Sequence, residues 1–341
     1  MRRILMALLA CVFALSAMAA EPQTLKSYHG NAGHDDAWSG GVRMIPIHTP
    51  QGDFRVWTKH VGNNPRIKVL LLHGGPGGTH EYFEAFDSFL PAEGVEYYYY
   101  DQLGSYYSDQ PEDMTPFLSI DHYVEEVEQV RVALGLGRDD FYVLGHSWGG
   151  ILAIEYALKY QQHLKGVVVS NMMSSIPAYN RYAREVLMPR MDQAALKDIL
   201  ALEAAKKYAD PRYEELLVPF YEAHILRRPI AEWPEPVMRS FVRHINKKVY
   251  IPMQGPSEMG ASGILVDWDR TADLKKITVP TLVIAGQHDT MDPAWMQMMS
   301  RQFPRGDYLL LPNSGHMAMY DDQQAYFDGL LKWLHKVDEV R

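Results

Sequence analysis

Cysteine is almost absent from the sequence: Cys11 is the only one in 341 residues. Because we expect the segment around Cys11 to be removed, the mature chain should carry no thiol and no disulfide. A cysteine nucleophile and a zinc site with thiolate ligands are therefore excluded. Such a chain would tolerate an oxidising compartment, but disulfides would not stabilise it.

The sequence also lacks an excess of positive charge. Lys and Arg number 33 against 42 Asp and Glu, which gives a formal net charge of -9. No dense basic stripe overrides this balance, so we expect no nucleic-acid partner. A small molecule or a short peptide is the expected substrate. No pattern in the sequence points to a cofactor or a metal, and the oligomeric state is left open.

The apolar run near the N terminus, residues 4–15, is too short to span a membrane, which needs about 20 apolar residues. Two arginines precede this run and small residues follow it. The pattern predicts a signal peptide over residues 1–20, with the mature chain beginning near Ala20 or Glu21. We therefore expect a periplasmic or secreted protein with no stable membrane insertion. Lipoprotein anchoring after cleavage before Cys11 is the less favoured alternative.

The rest of the sequence has ordinary globular composition, with 47% hydrophobic and 22% charged residues. Two extended runs separated by turn residues, at 41–48 and 54–60, predict a hairpin. After the hairpin, strand-like and helix-like patterns alternate. The predicted strands are 67–72, 95–100, 141–144, 166–170, 281–285 and 308–311, and the predicted helices are 120–136, 151–160, 294–303 and a closing helix through 326–334. This alternation predicts an α/β fold with a mostly parallel sheet and helices on both faces.

The alternation stops near residue 172. The stretch that follows is rich in Ala, Glu, Leu, Arg and Tyr and shows no convincing strand. We therefore predict a helical cap at 172–265, inserted between two parts of one core at 40–171 and 266–341.

The sequence GHSWG at 145–149 matches the pattern GxSxG between a predicted strand and a predicted helix. At such a sharp turn the flanking residues must lack side chains, while the serine hydroxyl is exposed above the edge of the sheet. The pattern therefore predicts that Ser147 is a nucleophile. The alternative is a glycine-rich turn with an incidental serine.

A serine nucleophile needs a base and a third group that orients the base. Asp289 lies just after the strand at 281–285, and His316 follows the strand at 308–311. Loops at the carboxyl ends of parallel strands hold active sites, so these side chains should meet near Ser147. The chain order Ser, Asp, His is typical of α/β-hydrolases. We predict that the three residues form a catalytic triad.

Other residues compete for these roles. Asp292 or His288 is an alternative to Asp289, since one of them could merely cap the next helix. Asp289 is favoured over Asp292. His316 is favoured by its place at a strand end, whereas His146 is more simply interpreted as a packing or solvent-facing residue.

Attack by a serine on a carbonyl creates an oxyanion, and fixed backbone N–H donors stabilise it. We predict that the N–H of Trp148, which follows the nucleophile, and that of Gly75 supply these donors. The loop at 73–77 lacks the Lys-Ser/Thr pair of a P-loop, which disfavours a phosphate site.

Several separated motifs resemble the proline iminopeptidase family of α/β-hydrolases. HGGPG at 73–77 resembles the oxyanion loop of that family, YDQLGS at 100–105 its DQxGxGxS segment, GHSWGG at 145–150 its GxSxGG elbow, MQGPSE at 253–258 its NGPxE segment, and DWD at 267–269 a stretch just after it. The resemblance implies an α/β-hydrolase fold with a cap. It also implies removal of an N-terminal residue, often proline.

The resemblance further implies that a glutamate of the cap binds the α-ammonium of the substrate, and Glu258 is the matching position. The alternative is that Glu258 is an ordinary surface or capping residue. Two positions depart from the family pattern: Thr290 replaces a second glutamate found in some relatives, and Tyr106-Tyr107 replaces the second glycine region of DQxGxGxS.

The leading hypothesis is a metal-independent aminopeptidase that acts on short peptides or amino-acid amides through an acyl-enzyme. The second hypothesis is a carboxylesterase that uses the same triad on small uncharged esters. A catalytically silent binding protein is the third, and the intact Ser, Asp, His and glycine motifs count against it.

Overall fold

Eight strands form one sheet in the computed structural model, which describes residues 40–339. The predicted signal peptide at 1–20 lies outside the described residues. The strands are β1 (Val42–Thr49), β2 (Gly52–Val61), β3 (Lys68–Leu72), β4 (Glu96–Tyr100), β5 (Phe141–His146), β6 (Gly166–Ser170), β7 (Thr281–Gly286) and β8 (Gly306–Leu311).

The strand order is β1-β2-β4-β3-β5-β6-β7-β8. The first two strands form the predicted hairpin, with Thr49 opposite Gly52 at its turn, and β2 pairs antiparallel with β4. All other neighbouring strands run parallel. The prediction of a mostly parallel sheet is therefore confirmed.

The buried strands are apolar on both sides because helices cover both faces of the sheet. In β4, Tyr98 and Tyr100 pack into the core on one face, whereas Tyr97 and Tyr99 pack into the core on the other. This alternation follows from the two-residue period of a strand.

The helices are α1 (Ile120–Leu134), α2 (Trp148–Tyr160), α3 (Ile176–Tyr182), α4 (Gln193–Ala204), α5 (Pro211–His224), α6 (Glu235–Met238), α7 (Lys247–Met253), α8 (Pro293–Ser300), α9 (Ala318–Asp321) and α10 (Gln323–Glu339). The apolar sides of α1, α2 and α8 pack on one face of the sheet. The other face is covered by α10 and by a 3-10 segment, His80–Ser88, that the sequence did not predict.

Several predicted boundaries were wrong, including the two on either side of Ser147. Helix α2 begins at Trp148 rather than near residue 151, and β5 extends to His146 rather than ending at 144. The turn between them therefore consists of Ser147 alone.

The segment between β6 and β7 is fully described and contains α3 to α7 but no strand of the sheet. It has a small core of its own, formed by Leu187, Ile199, Tyr213, Leu217, Phe220 and Met259. We call this segment the cap; its limits at 172 and 265 stay a prediction. Within residues 40–339, no helix is long and apolar enough to cross a membrane.

Candidate active site

Ser147 occupies a strained turn at the carboxyl end of β5. Its φ is 57° and its ψ is -127°, a combination that residues with side chains rarely adopt. A Cβ on Gly145 would lie 1.8 Å from the carbonyl oxygen of Gly149, and a Cβ on Gly149 would lie 2.0 Å from that of Leu72. Both flanking positions must therefore be glycine for the strand and helix to approach each other.

Asp289 and His316 lie at the same edge of the sheet as Ser147. Asp289 follows β7, His316 follows β8, and His316 Nδ1 is 2.8 Å from Asp289 Oδ1. His316 and Ser147 line one cavity at this edge. The structure thus brings together the three residues that the sequence singled out.

The Asp289 carboxylate is fully buried and held by several donors. Asn171 Nδ2 donates to its Oδ2 at 2.8 Å, and the N–H of Met291 donates to its Oδ1 at 3.1 Å. Asp292, the competing residue, instead caps α8 by accepting a hydrogen bond from the N–H of Ala294 at 2.9 Å. This geometry favours Asp289 as the partner of the histidine.

The electrostatic surroundings of His316 suit a general base. Burial alone would lower the pKa of His316, but the adjacent Asp289 carboxylate outweighs it, so the pKa is raised from its ordinary value. The charged imidazolium that forms when His316 takes a proton is therefore stabilised by its partner.

The glycine loop after β3 lines the same cavity through Gly74, Gly75 and Gly78. Gly75 has a φ of 113°, and a Cβ there would lie 2.6 Å from the nitrogen of Gly78. Trp148 opens α2, so its N–H is one of the first-turn amides that the helix itself does not use. Gly75 and Trp148, the predicted oxyanion donors, thus both lie beside Ser147.

The YDQLGS segment holds this loop in place through Gln102. The Gln102 amide donates to the carbonyl oxygen of His73 at 3.1 Å, and its oxygen accepts a hydrogen bond from the Trp148 indole at 2.8 Å. At the two positions that depart from the family pattern, Tyr106 stacks on His244 of the cap with ring centroids 3.9 Å apart, and Tyr107 packs edge-on against His244 at 5.9 Å and donates to Glu81. These tyrosines therefore connect the core to the cap.

The sequence alone did not single out Tyr82, and it indicated a packing or solvent-facing position for His146; the structure buries His146. The hydroxyl of Tyr82 accepts a hydrogen bond from the N–H of Gly74 at 2.7 Å and lies 3.1 Å from His146 Nδ1. His146 Nε2 lies 2.9 Å from the carbonyl oxygen of His316. The only signal in the sequence was the histidine next to Ser147.

Glu258 lies in the wall of the cavity that contains Ser147, with only 5% of its surface exposed. The hydroxyl of Tyr250 donates to its Oε1 at 2.5 Å. Burial raises the pKa of the Glu258 carboxyl, and the neighbouring His316 and Tyr250 offset part of that rise. Thr290, where some relatives have glutamate, is buried and its hydroxyl donates to Asp289 at 3.2 Å.

Comparison with known proteins agrees with this geometry. A sequence model of the family described as alpha/beta hydrolase fold matches residues 68–323. The proline iminopeptidase of Flavobacterium johnsoniae is 54% identical over 299 residues, which cover 87% of this chain and 99% of that one. The proline iminopeptidase of Elizabethkingia meningoseptica is 54% identical over 298 residues, covering 86% and 98%.

Solved structures give the same result. The crystal structure of VinJ matches with a TM-score of 0.80 and 29% identity, covering 86% of this chain and 99% of that one. The proline iminopeptidase of Mycobacterium smegmatis matches with a TM-score of 0.76 and 28% identity, covering 87% and 98%. The resemblance inferred from the motifs is confirmed, and the chain belongs to the α/β-hydrolase family and, within it, to the proline iminopeptidase group.

Proposed function

We propose that the protein is a serine aminopeptidase that releases an N-terminal residue, proline in particular, from short peptides or amino-acid amides. The single observation that carries this proposal is the buried carboxylate of Glu258 in the wall of the cavity that contains Ser147. A buried carboxylate is costly unless a cation or donors satisfy it, and the α-ammonium of a free N terminus is such a cation.

The reaction begins when Ser147 Oγ attacks the carbonyl carbon of the N-terminal residue while His316 takes the hydroxyl proton. Asp289 holds the imidazole and stabilises its positive charge. The N–H groups of Gly75 and Trp148 donate to the oxyanion. His316 then gives its proton to the leaving amine, and the C–N bond breaks to leave an acyl-enzyme. Water, deprotonated by His316, hydrolyses the ester and restores Ser147.

Glu258 sets the substrate class in this scheme. A charge-assisted hydrogen bond contributes about 1.5–3 kcal/mol, which corresponds to roughly a tenfold to hundredfold preference for substrates with a free amine. An uncharged ester gains nothing from this carboxylate. The aminopeptidase is therefore favoured over the carboxylesterase.

The experiment that tests the proposal compares prolyl arylamide, its N-acetylated form and simple acyl esters side by side. We expect the free-amine substrate to have the highest kcat/KM and Ser147→Ala to abolish all turnover. Equal or better hydrolysis of the acyl esters would favour a carboxylesterase, and turnover by Ser147→Ala would reject the nucleophile.

A matched pair of variants tests the role of Glu258. We expect Glu258→Gln to lower kcat/KM for prolyl arylamide by about tenfold to a hundredfold and to affect an acyl ester much less. Glu185→Gln, an exposed glutamate of the cap, is the control and should change neither. Equal losses on both substrates would assign Glu258 a structural role instead.

We also propose that the enzyme is exported, on the basis of the apolar and small residues at 1–20. Mass spectrometry of the protein from the periplasmic fraction or the medium of an expressing bacterium should give a chain beginning at Ala20 or Glu21. A cytosolic chain that keeps residues 1–20 would contradict this.

A further inference from the structure

A second cavity lies in the cap, and we call it the cap cavity. It adjoins the cavity that contains Ser147, which we call the catalytic cavity. Its volume is about 740 Å³, against about 30 Å³ for the catalytic cavity. Its wall is largely apolar and aromatic and includes Leu217, Val218, Trp233, Met238, Val242 and Ile251. None of these residues has a part in the reaction described above.

The two cavities adjoin. Phe241, Ile245 and Tyr250 line both of them, and Tyr250 also donates to the Glu258 carboxylate. The larger cavity therefore begins where the catalytic cavity ends, so a substrate that outgrows the catalytic cavity meets this apolar wall next.

The proposed function indicates which part of the substrate would contact the wall of the cap cavity. With its α-ammonium at Glu258 and its carbonyl at Ser147, the N-terminal residue lies between these two side chains, and the chain cannot extend beyond the amine. The substrate can therefore extend only on the other side of the scissile bond, through the leaving portion. We infer that the cap cavity binds the leaving portion of the substrate, and that the preferred substrates are short peptides with large apolar residues directly after the N-terminal one.

Charge at the rim of the cap cavity does not favour an ionic leaving group. Lys206 and Lys247 line it together with Glu214 and Glu215, and Lys247 pairs with Glu214 at 3.3 Å. Because the two signs balance, discrimination has to come from the apolar surface that the substrate removes from water.

The test uses two substrates with the same N-terminal residue, prolinamide and prolyl-leucyl-phenylalanine amide, and measures the ratio of their kcat/KM values. In the wild-type enzyme we expect the tripeptide amide to exceed prolinamide by tenfold or more, about the contribution of one or two apolar groups in a pocket. Prolyl-glycyl-glycine amide, which has the same length without the apolar groups, should give a value close to that of prolinamide.

Val242→Asp tests the wall directly. Val242 is 50% exposed and lines only the cap cavity, so its replacement should not prevent folding. We expect the ratio for the apolar tripeptide over prolinamide to fall about tenfold, mainly through a higher KM, and Val242→Leu to keep it. Val132→Asp, at a valine of α1 that is 60% exposed, is the matched control and should leave the ratio unchanged.

The outcomes separate this inference from the proposed function on which it rests. If wild-type enzyme releases proline from all three substrates at equal kcat/KM, or if Val242→Asp lowers the values for prolinamide and the tripeptide equally, the cap cavity does not hold the leaving portion. If the wild-type enzyme releases proline from none of them, the proposed function fails and the inference fails with it.

Discussion

The hydroxyl of Tyr82 lies at the centre of a hydrogen-bond chain that joins three segments of the proposed active site. Burial and the neighbouring His316 hold the pKa of His146 well below its ordinary value, so its imidazole is neutral. Because its Nε2 faces the carbonyl oxygen of His316, that nitrogen carries the proton and Nδ1 accepts from Tyr82. The chain of hydrogen bonds thus connects the Gly74 loop, the turn at Ser147 and the loop that carries His316.

Removing the Tyr82 hydroxyl should therefore reduce catalysis more than substrate binding. We expect Tyr82→Phe to lower kcat by about twofold to tenfold, the effect of one neutral hydrogen bond, with little change in KM. Tyr156→Phe, which removes a buried hydroxyl bonded to Glu128 away from the site, is the control. Steady-state kinetics on prolyl arylamide measure both, and an unchanged kcat in Tyr82→Phe would show that the chain has no part in positioning.

The pH dependence of the reaction should reflect the pKa of His316. His316 must be neutral to accept a proton, and Asp289 raises its pKa, so kcat/KM should fall as the pH drops through a value above the ordinary 6.5. Asp289→Asn removes the stabilising charge. It should move this fall in kcat/KM, the acid limb of the pH profile, to lower pH. It should also reduce kcat by about 10³–10⁴.

Asp292→Asn is the control for this prediction, since Asp292 caps α8 and does not contact His316. Its acid limb should stay where it is in the wild-type enzyme. Profiles of kcat/KM between pH 5 and 9 would contradict the assignment if the limb moved in Asp292→Asn and not in Asp289→Asn.

At the scale of elements, the approach of α2 to the sheet depends on glycine. In a helix, replacing glycine with alanine is ordinarily stabilising by up to about 1 kcal/mol. At Gly149, however, the new Cβ would lie 2.0 Å from the carbonyl oxygen of Leu72, which is backbone and cannot turn aside. The steric cost exceeds the gain in helix propensity.

We therefore expect Gly149→Ala to lower the free energy of unfolding by about 1–3 kcal/mol, the usual cost of overpacking, and to displace Ser147. Gly137→Ala should change the free energy little, because a Cβ there meets nothing within 4 Å. Urea unfolding of both variants measures the difference, and a stabilised Gly149→Ala would contradict the close contact.

Most elements of the core were predictable because their signals are local. The apolar run at 67–72 and the helical spacing after residue 120 correspond to β3 and α1, and Ser119 caps α1 by accepting from the N–H of His122. The 3-10 segment His80–Ser88 escaped prediction because its buried side chains follow no single helical or strand period.

At the scale of the whole molecule, the cap is tied to the core through Glu81. This fully buried carboxylate pairs with Arg239 at 2.8 Å and with His244 at 2.7 Å, both on the cap. Removing one partner of a buried pair leaves the other partly unsatisfied, which ordinarily costs about 3–5 kcal/mol. Here Arg239 also pairs with Glu84 at 2.7 Å, and that second contact reduces the loss.

Glu81→Gln should accordingly lower the free energy of unfolding by about 1–3 kcal/mol and raise KM, because the cap carries Glu258. Glu235→Gln breaks an exposed pair with Arg243 and should change stability by less than about 1 kcal/mol. Urea unfolding and steady-state kinetics measure the free energy of unfolding and KM of the two variants. Equal changes in Glu81→Gln and Glu235→Gln would contradict the role of Glu81.

The sequence by itself determined the order of the core strands and helices along the chain and the place of Ser147 between a strand and a helix. Side-chain period, glycine sterics and strand ends act over a few neighbouring residues, so they can be recognised without the fold. The same rules placed Asp289 and His316 at strand ends, and the chain order connected them to Ser147. Glu258 came from the family resemblance, since no local pattern distinguishes it.

Only the tertiary structure decided which of these groups meet and what surrounds them. The contact of His316 with Asp289 rather than Asp292, the burial of Glu258 and the chain through Tyr82 join residues that are far apart in sequence. The cap cavity likewise forms where several helices leave space between them. Such contacts depend on how whole elements pack, because hydrogen bonding and burial follow distance in space rather than along the chain.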